Sequence, residues 1–128
     1  MTHEPIARID LAPRTIVAHH WWQRLRGLLG TRVFPAHTVW VFPHTNLIHM
    51  WGMRYAIDVL FVDRNGVIIK HVAQLAPGQM AGAWRAYWTI ECAPGTIARL
   101  NSSVTYRIIQ WDPQCQLIPL ADTTTAQK

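Results

Sequence analysis

Three side chains able to do acid–base or ligand chemistry lie within ten positions of one another: His49, Arg54 and Asp58. They stand in an otherwise apolar segment, residues 46–66, which closes on a turn signal. A charged group moved out of water is strongly destabilising unless it is paired or stays hydrated. The segment therefore predicts a specific polar arrangement beside the core, without naming a reaction.

His49 is the first candidate in this polar cluster, because imidazole titrates near neutral pH and serves as acid, base or metal ligand. An imidazole held by a carboxylate or a carbonyl also organises loops, and we favour that structural role. Asp58 begins an apolar strand, so we expect it to accept hydrogen bonds from Arg54, His49 or backbone amides and to brace the fold. Glu91 completes the cluster if the polar face of its strand lines a cleft, or else lies in solvent near Arg85.

A metal site needs three or four ligands at suitable separations. His44, His49 and Asp58 are side chains of the right kind, but their spacing matches no ligand signature, and His19 and His20 are adjacent. Nucleophile signatures and glycine-rich phosphate loops are absent from the sequence. We therefore predict no metal and no cofactor.

Apolar side chains offer a second kind of site. Trp51 and Met53, with Arg54 beside them, suit a groove for a protein, a peptide or a small-molecule ligand. Large apolar side chains fill cores as well, so both interpretations stay open. Full burial of these side chains, with no apolar patch on the surface, would exclude the groove.

Two functional hypotheses follow. We favour a non-catalytic binding or accessory module that uses the groove. The alternative is a small hydrolytic or metal-assisted enzyme that uses His49, Asp58 and Glu91. The enzyme hypothesis requires those three side chains to converge.

Composition bounds the class of protein. The chain has 128 residues, 50% of them hydrophobic and 15% charged, which suits a single domain with one sizeable core. The first five residues lack the features of a secretory signal, and no uncharged apolar run approaches the ~20 residues of a membrane helix. We predict a soluble, cytoplasmic protein. Cys92 and Cys115 show no paired spacing, so we expect buried thiols rather than a disulfide or a zinc site.

The net charge of +5 comes from ten arginines and two lysines, which raises the question of nucleic-acid binding. The arginines do not cluster well. Arg24 and Arg26 would lie about 200° apart on a helix and would not share a face. We therefore predict a solvated basic surface, with no nucleic acid and no membrane as partner.

Short apolar segments separated by Pro, Gly, Asn and Asp dominate after residue 38, which is typical of an antiparallel β protein. Helical spacing of apolar residues predicts one helix over 19–29, and Pro94 favours a second, short helix over 94–100. The chain after Asp112 loses its pattern, so we expect a core over about 7–111 and a loosely ordered tail over 112–128. The predicted strands cover 7–11, 15–18, 38–42, 57–62, 67–73, 84–92 and 104–111.

The clearest hairpin closes at residues 63–66. A three-residue loop would pair Val59 with His71 and leave Asp58 on the face opposite His71. A two-residue loop would pair Leu60 with His71 and bring Asp58 onto the same face as His71. We favour the three-residue loop, because aspartate is preferred at the first position of a type I turn.

Short motifs along the chain resemble domain-of-unknown-function family 192, a group of small uncharacterised prokaryotic proteins. The resemblance covers about residues 7–110 and implies a compact, mainly β domain, an antiparallel β-sandwich or jelly-roll-like fold with one or two short helices. It implies no activity. The motifs are Arg24-Leu-Arg-Gly-Leu-Leu-Gly30, Ile48-His49, Met53-Arg54, Ile57-Asp58-Val-Leu-Phe-Val-Asp63, Gly66-Val67, Leu75 with Pro77, and Ile90-Glu91 with Pro94-Gly95-Thr96.

Overall fold

The computed structural model describes residues 8–20, 31–35 and 37–120, and within these ranges the chain forms ten strands and one 3₁₀ turn. The predicted mainly β fold is confirmed. The strands are β1 Ile9–Ala12, β2 Arg14–Val17, β3 Thr38–Pro43, β4 Leu47–His49, β5 Ile57–Val62, β6 Ile68–Leu75, β7 Met80–Gly82, β8 Trp88–Cys92, β9 Tyr106–Gln110 and β10 Cys115–Pro119, with the 3₁₀ turn at Ile97–Arg99.

Two sheets form the sandwich. Sheet I has the strand order β2-β3-β8-β5-β6 and sheet II the order β1-β10-β9. Neighbouring strands in both sheets are antiparallel, except that β2 and β3 run parallel. Alternate side chains of the two sheets meet in an inner core, because successive strand residues point to opposite faces. The inner core includes Leu11, Val39, Leu60, Ile90, Ile108 and Leu117.

Sheet I is covered on its other face as well. An outer core there contains Phe42, Val59 and Phe61 from the sheet, with Ile48 and Met50 packed over them. All six residues of β5 are buried, because the strand lies between two apolar layers. The two-stranded β4–β7 ribbon belongs to this outer layer, so the strand that carries His49 lies over sheet I.

The turn of the β5–β6 hairpin has the predicted three-residue loop. The Asp63 amide donates to the Val67 carbonyl at 2.9 Å, and the Gly66 amide donates to the Asp63 carbonyl at 3.0 Å. Gly66 has φ of 82°, a left-handed conformation that favours glycine. The Asp63 carboxylate also accepts from the amides of Asn65 and Val67, which fixes the turn.

Beyond the turn the predicted register is wrong. Phe61 pairs with Lys70 but Val62 pairs with Ile68, so β6 carries one extra residue, a β-bulge. As a result Leu60, rather than Val59, pairs with His71. Asp58 therefore shares a strand face with His71, contrary to our expectation.

The predicted loose tail is wrong for residues 115–119. They form β10, which pairs with both β1 and β9, and Cys115 and Leu117 are fully buried at 0% exposure. The sequence of β10 does not alternate beyond Leu117 and it ends at Pro119, which argues against a central strand. Residues 121–128 lie outside the described part of the chain.

Of the two predicted helices, the second is present as the shorter 3₁₀ turn Ile97–Arg99. The first, over 19–29, falls mostly on residues 21–30, which are outside the described ranges. Within those ranges, no helix has the length and apolar character needed to cross a bilayer.

Candidate functional site

Glu91 lies at the centre of sheet I, where its neighbours across β3 and β5 are Trp40 and Val59. Its side chain is 0% exposed. The predicted solvated position near Arg85 is wrong, because the strand begins only at Trp88 and apolar layers cover both of its faces. Apolar and polar residues alternate over 84–92, which predicts a strand with one face exposed to solvent. The pattern of a single strand does not show that the outer core covers this face.

His49 ends β4 and is half-buried, with Met80 of β7 as its cross-strand partner. The Trp51 ring packs against the imidazole with ring centroids 4.6 Å apart. The Trp51 amide also donates a long hydrogen bond to Nδ1 of His49, at 3.4 Å. The indole therefore holds His49 from the solvent side, since Trp51 itself is 60% exposed.

A cavity of about 200 Å³ brings His49 and Glu91 to one place. We call it the β4 cavity, after the strand that forms one of its walls. Three imidazoles, one carboxyl group and one threonine supply its polar side chains. Its lining residues are His19, His20, Phe42, Thr45, Leu47, Ile48, His49 and Glu91.

Trp40, on the strand beside Glu91, carries an unpaired donor. Its indole Nε1–H is buried and has no hydrogen-bond partner in the described part of the chain. Leaving a buried donor unpaired costs about 1–3 kcal/mol, so such groups need an explanation. Trp40 and Glu91 are direct cross-strand partners, which sets their side chains on one face about 4.5–5.5 Å apart at Cβ.

Asp58 has a different role. It is 1% exposed, and its carboxylate accepts the backbone N–H groups of Gln74 at 2.9 Å, Gly95 at 3.1 Å and Ile97 at 2.9 Å. The predicted bracing through backbone amides is confirmed. These bonds tie β5 to the bulged end of β6 and to the loop before the 3₁₀ turn.

Asp58 and Glu91 point to opposite faces of sheet I. Asp58 is paired with Cys92, whereas the next residue, Val59, is paired with Glu91. Side chains alternate along a strand, so the two carboxyl groups lie on different sides of the backbone. The predicted convergence of His49, Asp58 and Glu91 is therefore wrong, and only His49 and Glu91 share a cavity.

The predicted groove is only partly at the surface. Met53 is 8% exposed and packs in the outer core, so it does not border a groove, whereas Trp51 and Arg54 are exposed. Leu47 and Met80 are 55% and 53% exposed on the same ribbon. The alternation of Leu47, His49 and Trp51 was the available signal for this apolar face.

His44, the remaining candidate imidazole, has a structural partner. His44 packs edge-on against the Tyr87 ring and lies 3.2 Å from its hydroxyl group. Among the described residues, no group of three or more His, Cys, Asp or Glu side chains is arranged to hold a metal ion. The expected buried thiols are confirmed. Burial raises the pKa of Cys115 to about 12, and burial together with the Asp58 charge raises the pKa of Cys92 well above its usual range.

Comparison with known families places the chain. The model of the DUF192 family, described as an uncharacterised ACR, matches residues 6–109. The chain belongs to the DUF192 family. Among curated proteins, none matches the sequence of this DUF192 protein.

Two crystal structures share the fold of this DUF192 protein. A candidate transcription regulator from Sinorhizobium meliloti 1021 is 18% identical, with a TM-score of 0.57 over 82% of this chain and 80% of that one. A protein of unknown function from Novosphingobium aromaticivorans is 17% identical, with a TM-score of 0.57 over 80% of this chain and 72% of that one. At these identities the likeness concerns the fold alone.

Proposed function

We propose that this DUF192 protein is a non-catalytic binding module that holds a small molecule in the β4 cavity. One observation carries the proposal: His49 and Glu91, far apart in sequence, line the same cavity together with Phe42 and Ile48. Binding sites typically combine an apolar lining with a few polar groups that orient the ligand. The β4 cavity has this composition.

The size of the cavity limits the ligand. Its volume of about 200 Å³ is below the ~300–1,000 Å³ of pockets that bind drug-sized molecules. At roughly 20 Å³ for each non-hydrogen atom in a close-packed interior, it holds a molecule of about ten such atoms. We therefore propose a small metabolite, or one small group of a larger molecule, rather than a folded partner.

Acid–base catalysis by His49 and Glu91 is a second candidate, since an imidazole and a carboxyl group in one cavity are the parts of a general acid–base pair. Asp58 is not available to it, because three backbone amides hold its carboxylate on the other face of sheet I. A hydrolytic site would have to act with two of the three residues first considered. An enzyme would convert the bound molecule into a product, whereas a binding module would leave it unchanged, so product formation distinguishes the two candidate functions.

We also propose that the protein acts in the cytoplasm. Cys92 and Cys115 are both free thiols, and unpaired cysteines suit a reducing compartment. Fractionation of cells that express the protein tests this point.

Backbone amide chemical shifts in NMR test the binding proposal. The probes are small amides, aromatic alcohols, amines and carboxylic acids of about ten non-hydrogen atoms. At least one of them is expected to give saturable shifts at Thr45, Ile48 and His49, and His49→Ala should weaken the binding. His71→Ala is the matched control, because His71 is exposed and lines a different cavity. No saturable shifts around β4, or equal binding by the two variants, would contradict the proposal.

A further inference from the structure

We propose that the free edge of β6 is a docking site for an extended acidic peptide that carries one large apolar side chain. The bound peptide adds a strand to sheet I and inserts this side chain into a cavity beside the edge. The site shares no lining residue with the β4 cavity, so the proposal does not depend on the small-molecule function.

β6 is the last strand of sheet I and has a partner on one side only. Its eight residues, Ile68–Leu75, pair with β5, and no other strand in the described part of the chain is hydrogen-bonded to them. In an antiparallel strand about half of the backbone N–H and C=O groups point away from the partner. These outward groups are able to pair with another extended chain.

A cavity of about 190 Å³ lies beside this edge, and we call it the β6 cavity. Its walls come from β6 on one side and from the 3₁₀ turn, the following loop and the start of β9 on the other. Apolar cavities of about 150 Å³ hold a benzene ring, so the β6 cavity accepts one large side chain such as that of phenylalanine. The apolar residues of its lining include Leu60, Ile68, Ile97, Leu100 and Val104.

Hydrogen bonds join the two walls at both ends of the cavity. At the hairpin end, the Ile108 amide of β9 donates to the Gly66 carbonyl at 2.7 Å. At the other end, the Asp58 carboxylate accepts the amides of Gln74 in β6 and Ile97 in the 3₁₀ turn, both at 2.9 Å. The site is therefore formed before a peptide binds, which lowers the entropic cost of binding.

The register of β6 determines where the side chains of an added strand point. His71 pairs with Leu60, which belongs to the inner core, whereas Lys70 pairs with Phe61, which belongs to the outer core. The Lys70 ammonium group donates to the Gly82 carbonyl of β7 at 2.8 Å, which also places it on the outer side. A peptide side chain in the β6 cavity lies on the inner side, so the residues before and after it point to the outer side with Lys70.

The charge of the edge favours acidic residues at these neighbouring positions. Two exposed cations lie along it: Lys70 in the strand, and Arg107, which is paired with Val67 at the start of the strand. β6 and the lining of the β6 cavity contain no Asp or Glu. A lysine on an edge strand discourages pairing with other strands in general. Carboxylates beside the apolar residue reverse this effect, because they bring the opposite charge to Lys70.

Two other occupants fit the edge less well. A second copy of the chain, paired through its own β6, would bring a second Lys70 to the edge, and like charges repel. The last eight residues of this chain, 121–128, contain no large apolar side chain for the cavity. An acidic segment of another protein, with one aromatic or large aliphatic residue, meets both requirements.

Titration of the full-length protein with synthetic peptides of eight residues, the length of β6, tests the proposal. The parent peptide has a central phenylalanine, a glutamate on either side of it and threonine elsewhere. We expect saturable amide shifts in NMR at Ile69, His71, Ser102 and Thr105, with Thr45 in the β4 cavity unchanged. Replacing the phenylalanine of the peptide by alanine should weaken binding at least about tenfold, because no large side chain then fills the β6 cavity.

A charge reversal in the protein tests the role of Lys70. Lys70→Glu should weaken binding at least about fivefold, since it places a carboxylate beside the glutamates of the peptide. Arg14→Glu is the matched control, because it makes the same change of charge at an exposed position of β2, the opposite edge strand of sheet I. This variant should bind as the wild type does at physiological ionic strength. Both residues are exposed, so the variants should fold, which their amide spectra will verify.

N-methylation of the peptide tests strand addition itself. Two versions of the parent peptide are methylated at alternate amides, one along each edge of the extended chain. The version that lacks the N–H groups facing β6 should lose binding, and the other should keep it, because only one edge of an added strand pairs with the sheet.

The proposal would be overturned by an absence of saturable shifts with the parent peptide, by equal affinities of the Lys70→Glu and Arg14→Glu variants, or by equal affinities of the two methylated peptides. Sedimentation of the protein alone tests the second copy as occupant. A dimer that excludes the peptide would assign the edge to a second copy and would also overturn the proposal.

Discussion

Asp58 and Glu91 are buried carboxyl residues on adjacent strands of sheet I, and they point to opposite faces of that sheet. Asp58 faces the side of the inner core, where three backbone amides hold it. Glu91 faces the outer side and lines the β4 cavity with His49. One carboxyl group therefore braces the fold through backbone amides and the other lines a cavity, so substitutions at the two positions should have different effects.

Asp58→Asn should destabilise the protein by about 2–4 kcal/mol. Three amide donors lose an ionised acceptor, and hydrogen bonds to charged groups contribute about 1.5–3 kcal/mol each, partly retained by the neutral amide oxygen. Urea unfolding measures the change. Asp63→Asn is the matched control, because the Asp63 carboxylate accepts two amides in a more exposed turn and should lose less. An equal loss for the two variants would contradict the bracing role of Asp58.

Stability should fall as the pH rises above about 9. Burial raises the pKa of Cys115 to about 12 in the folded protein, from about 9 for an exposed thiol. Between these values the unfolded chain releases a proton that the folded protein keeps, so unfolding is favoured by up to about 1.4 kcal/mol for each pH unit. Below the unfolded pKa the full contribution of the buried thiol is present. Urea unfolding of wild type and Cys115→Ala at pH 8, 9 and 10 measures it, and the variant should show the shallower decline. Parallel declines would contradict the assignment.

Gly66→Ala should destabilise the hairpin by about 1–3 kcal/mol. Alanine is strained at φ of 82°, and its Cβ would lie 3.2 Å from the carbonyl oxygen of Ile108. Gly78→Ala is the control, because Gly78 has φ of 83° and nothing within 4 Å of the added Cβ. Thermal unfolding should therefore show the larger loss for Gly66→Ala. Equal losses would mean that the close approach to Ile108 contributes nothing.

The hairpin also shows which structural features can be predicted from the sequence and which cannot. Aspartate and glycine at the ends of residues 63–66 predict the three-residue loop, because turn chemistry is local. The bulge in β6 carries no such signal, since it depends on how the strand packs against the rest of the sandwich. The turn was therefore predictable, while the register beyond it was not.

The candidate site likewise has features that the sequence predicts and features that it does not. A buried aspartate in an apolar strand predicts hydrogen bonds to backbone amides, but not that Gly95 and Ile97 supply them. Glu91 looked solvated because the alternation of one strand cannot show that a second layer covers its polar face. The sequence also does not predict the cavity that His49 and Glu91 share, because this cavity depends on how the β4–β7 ribbon lies over sheet I.

Leu117→Ala should cost about 2–5 kcal/mol of stability, as expected for truncation of a fully buried leucine. The result tests whether β10 is a central strand rather than a loose tail. Ile109→Ala on the adjacent β9 is the control, because Ile109 is 39% exposed and should lose much less. Urea unfolding of the two variants gives the comparison. A loss below about 1 kcal/mol for Leu117→Ala would contradict the packing of β10.

The central claim is that the β4 cavity, on the Glu91 side of sheet I, binds the ligand. The most direct measurement is a map of amide chemical-shift changes when the small-molecule probes are titrated into the wild-type protein. We predict saturable changes at Thr45, Ile48, His49 and Glu91, with Gly95 and Ile97 on the Asp58 side unchanged. Saturable changes confined to Gly95, Ile97 and their neighbours, or none at all, would contradict the claim.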